Sequence, residues 1–150
     1  MTARIKTGSG LLPDAMKAIL ALNAAVQNGS VPAATLALSH LRASQINGCS
    51  ACVDSGAKHA LKAGETTERL FAVSAWRESP HFNAAERAAL ALTESVTRLA
   101  DQMDPVPDAI WDEAARHYDD KALMTLLLSI ATTNVFNRLN VSTRQPPQNW

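Results

Sequence analysis

Apolar residues recur along the first part of the chain at helical spacing, interrupted by asparagine-glycine breaks. A first helix is predicted from Pro13-Asp14 to the break at Asn28-Gly29, and its apolar positions are Met16, Ile19, Leu20 and Val26. A second helix follows Ser30-Val31-Pro32 and ends at Asn47-Gly48, with the apolar positions Leu36, Leu38, Leu41 and Ile46. A third is predicted from about Cys49 to Gly64, so both cysteines of the chain fall at the start of a helix.

The second half of the chain repeats the helical pattern. Asn83 and Glu86 have the spacing of a capping box ahead of a core-facing stripe of Leu92, Val96 and Leu99. Prolines within residues 105–107 break the chain, a short helix is predicted over residues 111–118, and Asp119 or Asp120 caps the last helix. That helix is apolar on nearly every side, which predicts burial between other helices; its positions are Ala122, Leu123, Leu126, Leu127, Leu128, Ile130, Ala131 and Asn134.

No stretch alternates between apolar and polar residues with period two, so the sequence predicts an all-α bundle. No repeat or linker divides the 150 residues, and we expect a single domain over residues 1–150 with a short tail from about Arg144. Prolines in this tail cannot continue a helix. The terminal Trp150 is expected either to be loose or to dock on a neighbouring subunit.

The charge pattern narrows the expected partners. The 14 Lys and Arg residues balance 14 Asp and Glu residues without a basic stripe, so neither nucleic acid nor an anionic membrane surface is expected. The N-terminus has no apolar core of an export signal, and the longest apolar stretch, around residues 126–131, is too short to span a bilayer. The sequence therefore predicts a soluble, cytoplasmic protein.

Cys49 and Cys52 are the only two cysteines, and their spacing in a reducing compartment favours redox or metal chemistry over a structural disulfide. A helix N-terminus favours an anion, which makes Cys49 a candidate thiolate, and Cys52 lies one turn further along the same face. Two other interpretations stay open. In the first, both cysteines serve only as small buried hydrophobic residues. In the second, they bind a metal together with His40 or His59, although no second ligand pair for zinc is evident.

The residues around this pair resemble a known family. The run LRASQINGCSACVD over residues 41–54 resembles the signature of the AhpD-like superfamily, which includes the carboxymuconolactone decarboxylases. Later segments resemble that family in the same order: AGE at 63–65, AWRE at 75–78, ERAALA at 86–91 and IATTNVFNR at 130–138. The resemblance thus covers most of the chain.

The resemblance implies an all-helical fold assembled into homo-oligomers, commonly trimers or hexamers, with peroxidase activity through the cysteine pair. It implies that Cys52 attacks a hydroperoxide and that Cys49 resolves the product to a disulfide, whereas the helix dipole alone favours Cys49 as the more acidic thiol. It also implies a dithiol reductant, such as dihydrolipoamide or a thioredoxin-like protein. No cofactor and no metal are expected.

The family's proton relay is missing from this chain. Its glutamate, twelve residues before the first cysteine, corresponds to Ala37, and its histidine, four residues after the second, corresponds to Gly56. His40 and His59 each lie three residues beyond these positions, and we predict both as catalytic candidates beside Cys49 and Cys52. His59 is about 10.5 Å of helical rise from Cys52, too far for a direct hydrogen bond, whereas His40 can reach a cysteine if the two helices pack antiparallel.

These features predict a thiol-dependent peroxidase that reduces alkyl hydroperoxides through a dithiol-disulfide cycle. The first alternative is a redox-sensing or interaction protein that forms the same disulfide but turns over little peroxide. The second is a cofactor-free lyase like the carboxymuconolactone decarboxylases, for which no cluster of basic side chains is visible in the sequence.

Overall fold

In the computed structural model, which describes residues 2–5, 8–100 and 102–147, the regular elements are all helical. The α-helices are α1 (Gly8–Leu11), α2 (Pro13–Gln27), α3 (Ala33–Ile46), α4 (Ser50–Lys62), α5 (Thr67–Ala72), α6 (Ala84–Thr97), α7 (Asp108–His117) and α8 (Asp120–Thr143), and a 3₁₀ turn covers Val73–Ala75. The predicted all-α class is confirmed. The expectation for Trp150 lies outside the described residues.

Side-chain caps fix several helix ends where the sequence predicted them. The Asn83 side chain accepts from the Glu86 N–H at 2.9 Å while Glu86 accepts from the Asn83 N–H at 3.0 Å, which completes the predicted capping box. Asp119 caps α8 by accepting from the Ala122 N–H at 2.8 Å. Helix α7 begins at Asp108, three residues before the predicted start and directly after Pro107, whose side chain makes no capping hydrogen bond. The short helices α1 and α5 were not predicted.

Helix α3 is the centre of the fold and packs against α4, α6 and α8. Two apolar clusters lie on its sides. One joins α3 to α6, α7 and α8 and contains Val31, Leu36, Ala89, Leu92, Ala114, Tyr118, Ala122, Leu123 and Leu126. The other joins α3 to α4, α5, the 3₁₀ turn and α6 and contains Leu38, Leu41, Ala60, Leu70, Val73, Trp76, Phe82 and Leu90. Burial of α3 on both sides holds its residues, including His40, in fixed positions.

Four apolar positions of the predicted helices are exposed, and one of them is Ala131 on α8. Leu20 on α2 is 55% exposed, and Leu99 is 52% exposed because α6 ends at Thr97 and the chain turns away. Leu128 belongs to an exposed apolar side of α8, so that helix is not buried all round. This side, here called the α8 outer face, consists of Met124, Leu128, Val135 and Leu139.

Helix α8 is also the one helix among the described residues that is long and apolar enough to cross a membrane, with 24 residues and a mean hydropathy of 1.2 over an 18-residue window. The helix extends on both sides beyond the short apolar stretch around residues 126–131, and it meets this criterion by length and composition only. However, 56% of the apolar window is buried inside the fold. The inner side of α8 faces the core and packs on α2, α3, α4, α6 and α7.

A carboxylate is buried where α3 meets α6. Glu94 accepts from Arg42 Nε at 2.7 Å, from Trp76 Nε1 at 2.9 Å and from Arg77 Nη1 at 2.9 Å. Burial by itself raises the pKa of Glu94, but these donors and the charge of Arg42 outweigh it and lower the pKa to about 2. An ionised Glu94 therefore ties the 3₁₀ turn to the two helices at neutral pH.

Candidate functional site

The turn between α3 and α4 presents the two cysteines. Asn47 ends α3, and Gly48 reverses the chain with φ +65°, a conformation that favours glycine. Cys49 is then the N-cap of α4, in the extended conformation, and its sulfur accepts from the Cys52 N–H at 3.3 Å. The predicted position of Cys49 at a helix N-terminus is thus what the backbone adopts.

Cys49 and Cys52 are joined as a disulfide, with 2.10 Å between the sulfurs and 5.3 Å between the Cα atoms. Both residues are almost fully covered, at 1% and 3% exposure. The pair is therefore correctly placed for reversible dithiol-disulfide chemistry in a largely dehydrated environment. Among the described residues, no group of three or more His, Cys, Asp or Glu side chains is arranged to hold a metal ion.

A buried amide network fixes the turn before Cys49 to α8. Asn47 Nδ2 donates to Asn134 Oδ1 at 2.9 Å and to Asn137 Oδ1 at 2.8 Å. Asn137 Nδ2 in turn donates to Ser44 Oγ at 3.1 Å. Because these groups are buried, their mutual hydrogen bonds hold the start of α4 in one position relative to α8.

Cys52 contacts three side chains. Asn140, from the last turns of α8, points Nδ2 at the Cys52 sulfur at 3.4 Å. The Cys52 carbonyl oxygen accepts from His40 Nε2 at 3.3 Å and from Ser55 Oγ at 3.3 Å. Sequence reasoning missed Asn140. The available signal was the recurrence of Asn134, Asn137 and Asn140 at three-residue intervals on an otherwise apolar helix.

His40 reaches α4 across the space left by Gly56. An ideal Cβ at Gly56 would lie 2.6 Å from His40 Cδ2 and 2.8 Å from His40 Nε2, so only glycine admits the ring in this position. The other ring nitrogen, Nδ1, lies 3.2 Å from Thr133 Oγ1 on α8. The prediction that His40 approaches a cysteine from α3 describes its location correctly, although the contact is with the main chain of Cys52.

The partners of His40 define its protonation state. A carbonyl oxygen only accepts, so Nε2 carries the proton, and Nδ1 of the neutral ring then accepts from the Thr133 hydroxyl. Burial lowers the pKa of His40 below its usual 6.5; the bond to the Cys52 carbonyl opposes this shift and the nearby His59 adds to it. His40 is consequently neutral at pH 7.

The structure does not bring His59 to the sulfurs. Its side chain is exposed on α4, and its Nδ1 donates to the Ser55 carbonyl at 2.7 Å. Ala37, at the position of the family's relay glutamate, lines a different cavity. This cavity has a volume of about 650 Å³, and its lining also includes Ala60, Arg69 and Glu86. Of the two positions that lack a relay side chain, only Gly56 therefore has a side chain from another helix in its place, and that side chain is His40.

A smaller cavity of about 400 Å³ adjoins the disulfide. It is lined by Gly48, Cys49, Ser50, Asn140, Val141, Arg144 and Gln145. Cys49 belongs to the lining and Cys52 does not, so the two cysteines differ in their access to this space. We call it the Cys49 cavity.

The fold and site define an all-helical protein with a buried dithiol-disulfide pair at a helix N-terminus. The model of the carboxymuconolactone decarboxylase family matches residues 13–95. The chain therefore belongs to the carboxymuconolactone decarboxylase family, and the AhpD-like resemblance of its sequence is confirmed.

Individual proteins agree with this assignment. The chain is 32% identical over 132 residues to the uncharacterized protein YdfG of Bacillus subtilis (strain 168), covering 88% of each chain. It is 32% identical to ATU0492 of Agrobacterium tumefaciens, a protein of unknown function with a suggested role as the antioxidant defence protein AhpD; the TM-score is 0.92, with 99% and 100% of the two chains covered. The debrominase Bmp8, at 23% identity and a TM-score of 0.82 over 93% of this chain and 74% of its own, shares the fold.

Proposed function

We propose that this protein is a thiol-dependent peroxidase that reduces alkyl hydroperoxides through Cys49 and Cys52. The observation that carries the proposal is the joined pair itself, which lies at the N-terminus of α4 beside a neutral histidine and a cavity. Family membership and the overall similarity to ATU0492 support the same assignment.

The proposed cycle has three steps. The Cys52 thiolate attacks the terminal oxygen of the hydroperoxide, the O–O bond breaks, and the alkoxide leaves and takes a proton as an alcohol. The Cys49 thiol then attacks the Cys52 sulfenic acid, which forms the disulfide and releases water. An external dithiol returns two electrons and is itself oxidised to a disulfide. The product of the second step is the bonded pair seen in the structure.

His40 is the proposed proton acceptor in this cycle. Because burial keeps the pKa of His40 low, the ring is neutral and has a lone pair at Nδ1. Nε2 donates to the Cys52 carbonyl and Nδ1 accepts from the Thr133 hydroxyl, so the proposed proton transfer from the Cys52 thiol to the ring is indirect. His59, exposed further along α4, is proposed to exchange protons with solvent.

The remaining partners belong to the same proposal. The reductant is a dithiol such as dihydrolipoamide or a thioredoxin-like protein, and no nucleic acid or membrane takes part. The protein is proposed to be cytoplasmic and to form a homo-oligomer, a trimer or hexamer. The apolar residues of the α8 outer face, each at least 38% exposed in the single chain, support self-association.

The test is peroxide consumption driven by reduced lipoamide, with several alkyl hydroperoxides, in native protein and variants at matched concentration. Cys52→Ser abolishes turnover, and His40→Ala lowers it by roughly 10²-fold or more, the usual contribution of a general base. His117→Ala, which removes a histidine of α7 bonded to Glu113, is the matched control and retains native turnover. Native protein that consumes no hydroperoxide with any dithiol refutes the proposal.

One observation favours a second candidate, a redox sensor that forms the disulfide but turns over slowly. Ala37 and Gly56 supply no relay side chain, and both nitrogens of His40 already have partners other than the sulfur. A sensor would be oxidised stoichiometrically by peroxide and would be reduced only slowly by dithiols. Rapid oxidation followed by negligible multiple turnover in the lipoamide assay would identify it.

A further inference from the structure

Asn140 places an N–H donor on the sulfur of Cys52. Its Nδ2 lies 3.4 Å from that sulfur, and Cys52 as a residue is buried, at 3% exposure. A disulfide sulfur is a weak hydrogen-bond acceptor, whereas a buried thiolate needs donors in place of the water it has lost. The contact therefore gains most of its strength when the disulfide opens and Cys52 becomes an anion.

The two sulfurs are consequently not equivalent toward a reductant. Cys49 lines the Cys49 cavity together with Ser50 and Val141, and Cys52 is absent from that lining. Both residues are almost fully covered, at 1% exposure for Cys49 and 3% for Cys52, so the Cys49 cavity is the space from which a dithiol would attack, and it adjoins Cys49. Cleavage from this side leaves the charge on Cys52, where the Asn140 amide is already in position.

We propose that Asn140 is a catalytic residue for opening of the disulfide, stabilising the Cys52 thiolate as the leaving group while an external dithiol attacks Cys49 from the Cys49 cavity. This inference rests on the proposed dithiol-driven cycle. The reductant thiolate forms a bond to the Cys49 sulfur, the Cys49–Cys52 bond breaks, and its electron pair goes to the Cys52 sulfur. The second thiol of the reductant then displaces Cys49, which takes up a proton, and the reductant leaves as a disulfide.

The same amide serves the oxidative half of the cycle. A hydrogen bond to a charged group stabilises that group enough to lower the pKa of a thiol by about one unit. Asn140 therefore increases the fraction of Cys52 that is thiolate in the reduced protein. Cys49 has a donor too, the Cys52 N–H, but that donor belongs to the helix and is present in every variant.

The first experiment isolates the thiolate of Cys52. In the Cys49→Ser background, where serine retains the helix N-cap, thiolate absorbance is followed against pH for Asn140, Asn140→Leu and Asn140→Asp. Leucine removes the donor at nearly constant size, and the pKa of Cys52 rises by about one unit. Aspartate replaces the donor by a like charge and raises the pKa further. Identical titrations in the three proteins overturn the proposal, because a merely structural role would not order the variants by charge.

The second experiment follows reduction without any peroxide. Oxidised protein is mixed with reduced lipoamide, and exposed thiols are counted by maleimide labelling and mass spectrometry. Asn140→Leu slows reduction by about threefold or more, since a leaving thiol of higher pKa departs more slowly. Val141→Phe narrows the Cys49 cavity and also slows it, whereas Leu22→Phe, a change at a 43%-exposed position of α2, does not.

The outcomes separate this inference from the proposed function. If the native protein turns over peroxide and Asn140→Leu is reduced by the dithiol at the native rate, the role of Asn140 is refuted and the peroxidase proposal stands. If the native protein turns over no peroxide, but the Cys52 pKa rises in the expected order of the Asn140 variants and Asn140→Leu is reduced more slowly, the peroxidase proposal is refuted. The same result supports the role of Asn140 in disulfide opening. Equal slowing by Val141→Phe and Leu22→Phe refutes the Cys49 cavity as the route of the reductant.

Discussion

Replacing Gly56 by alanine tests the contact between His40 and α4 most directly. The new Cβ would lie 2.6 Å from His40 Cδ2 and 2.8 Å from Nε2, well inside van der Waals contact. The ring must move and lose its 3.3 Å bond to the Cys52 carbonyl. Overpacking costs about 1–3 kcal/mol and the lost hydrogen bond about 1 kcal/mol, while alanine in mid-helix returns about 1 kcal/mol. Gly56→Ala is therefore expected to lower the free energy of unfolding by about 1–3 kcal/mol.

The sign of the effect reverses when His40 is absent. In a His40→Ala background nothing else lies near the new Cβ, so Gly56→Ala gains the helix propensity of about 1 kcal/mol and stabilises the protein. The free energy of unfolding is measured by urea denaturation of the four proteins of this double-mutant cycle, at one protein concentration with the disulfide intact. An equal effect of Gly56→Ala in both backgrounds would show that His40 does not occupy the space above Gly56.

Three further predictions follow from the structure. Glu94→Gln removes a carboxylate whose pKa is lowered to about 2, so the stability that Glu94 adds is complete above its unfolded pKa of 4.5 and disappears as the pH falls toward 2; urea midpoints of native and variant protein should converge over that range. Asn47→Leu removes the donor to the buried Asn137 Oδ1, whereas Asn134 Oδ1 keeps Arg138, and should cost about 2 kcal/mol, measured by thermal unfolding; an unchanged Tm would show that the network does not hold the turn. His40 should titrate below pH 6.5 by NMR, and because the unfolded chain then binds more protons, native stability should fall as the pH decreases through 6.5, with a weaker fall in His40→Gln.

The helices that the sequence predicted well are those with local signals. Asn83, Glu86 and Asp119 cap through hydrogen bonds within one helical turn, so their sequence spacing is sufficient to place a helix start. Leu99 shows the opposite case. Its spacing continues the apolar stripe of α6, but the helix ends at Thr97 and Leu99 is 52% exposed, because the chain turns toward α7 rather than along α6.

The candidate site divides in the same way. The sequence by itself determined the all-α class, the family and the position of Cys49 and Cys52 at a helix start, because residue periodicity and short-range capping carry that information. Only the tertiary structure decided that His40 fills the space above Gly56 and contacts the main chain of Cys52, and that Asn140 faces the Cys52 sulfur. These contacts join residues 12 and 88 positions apart, across α3, α4 and α8, and their existence depends on how whole helices pack rather than on any local pattern.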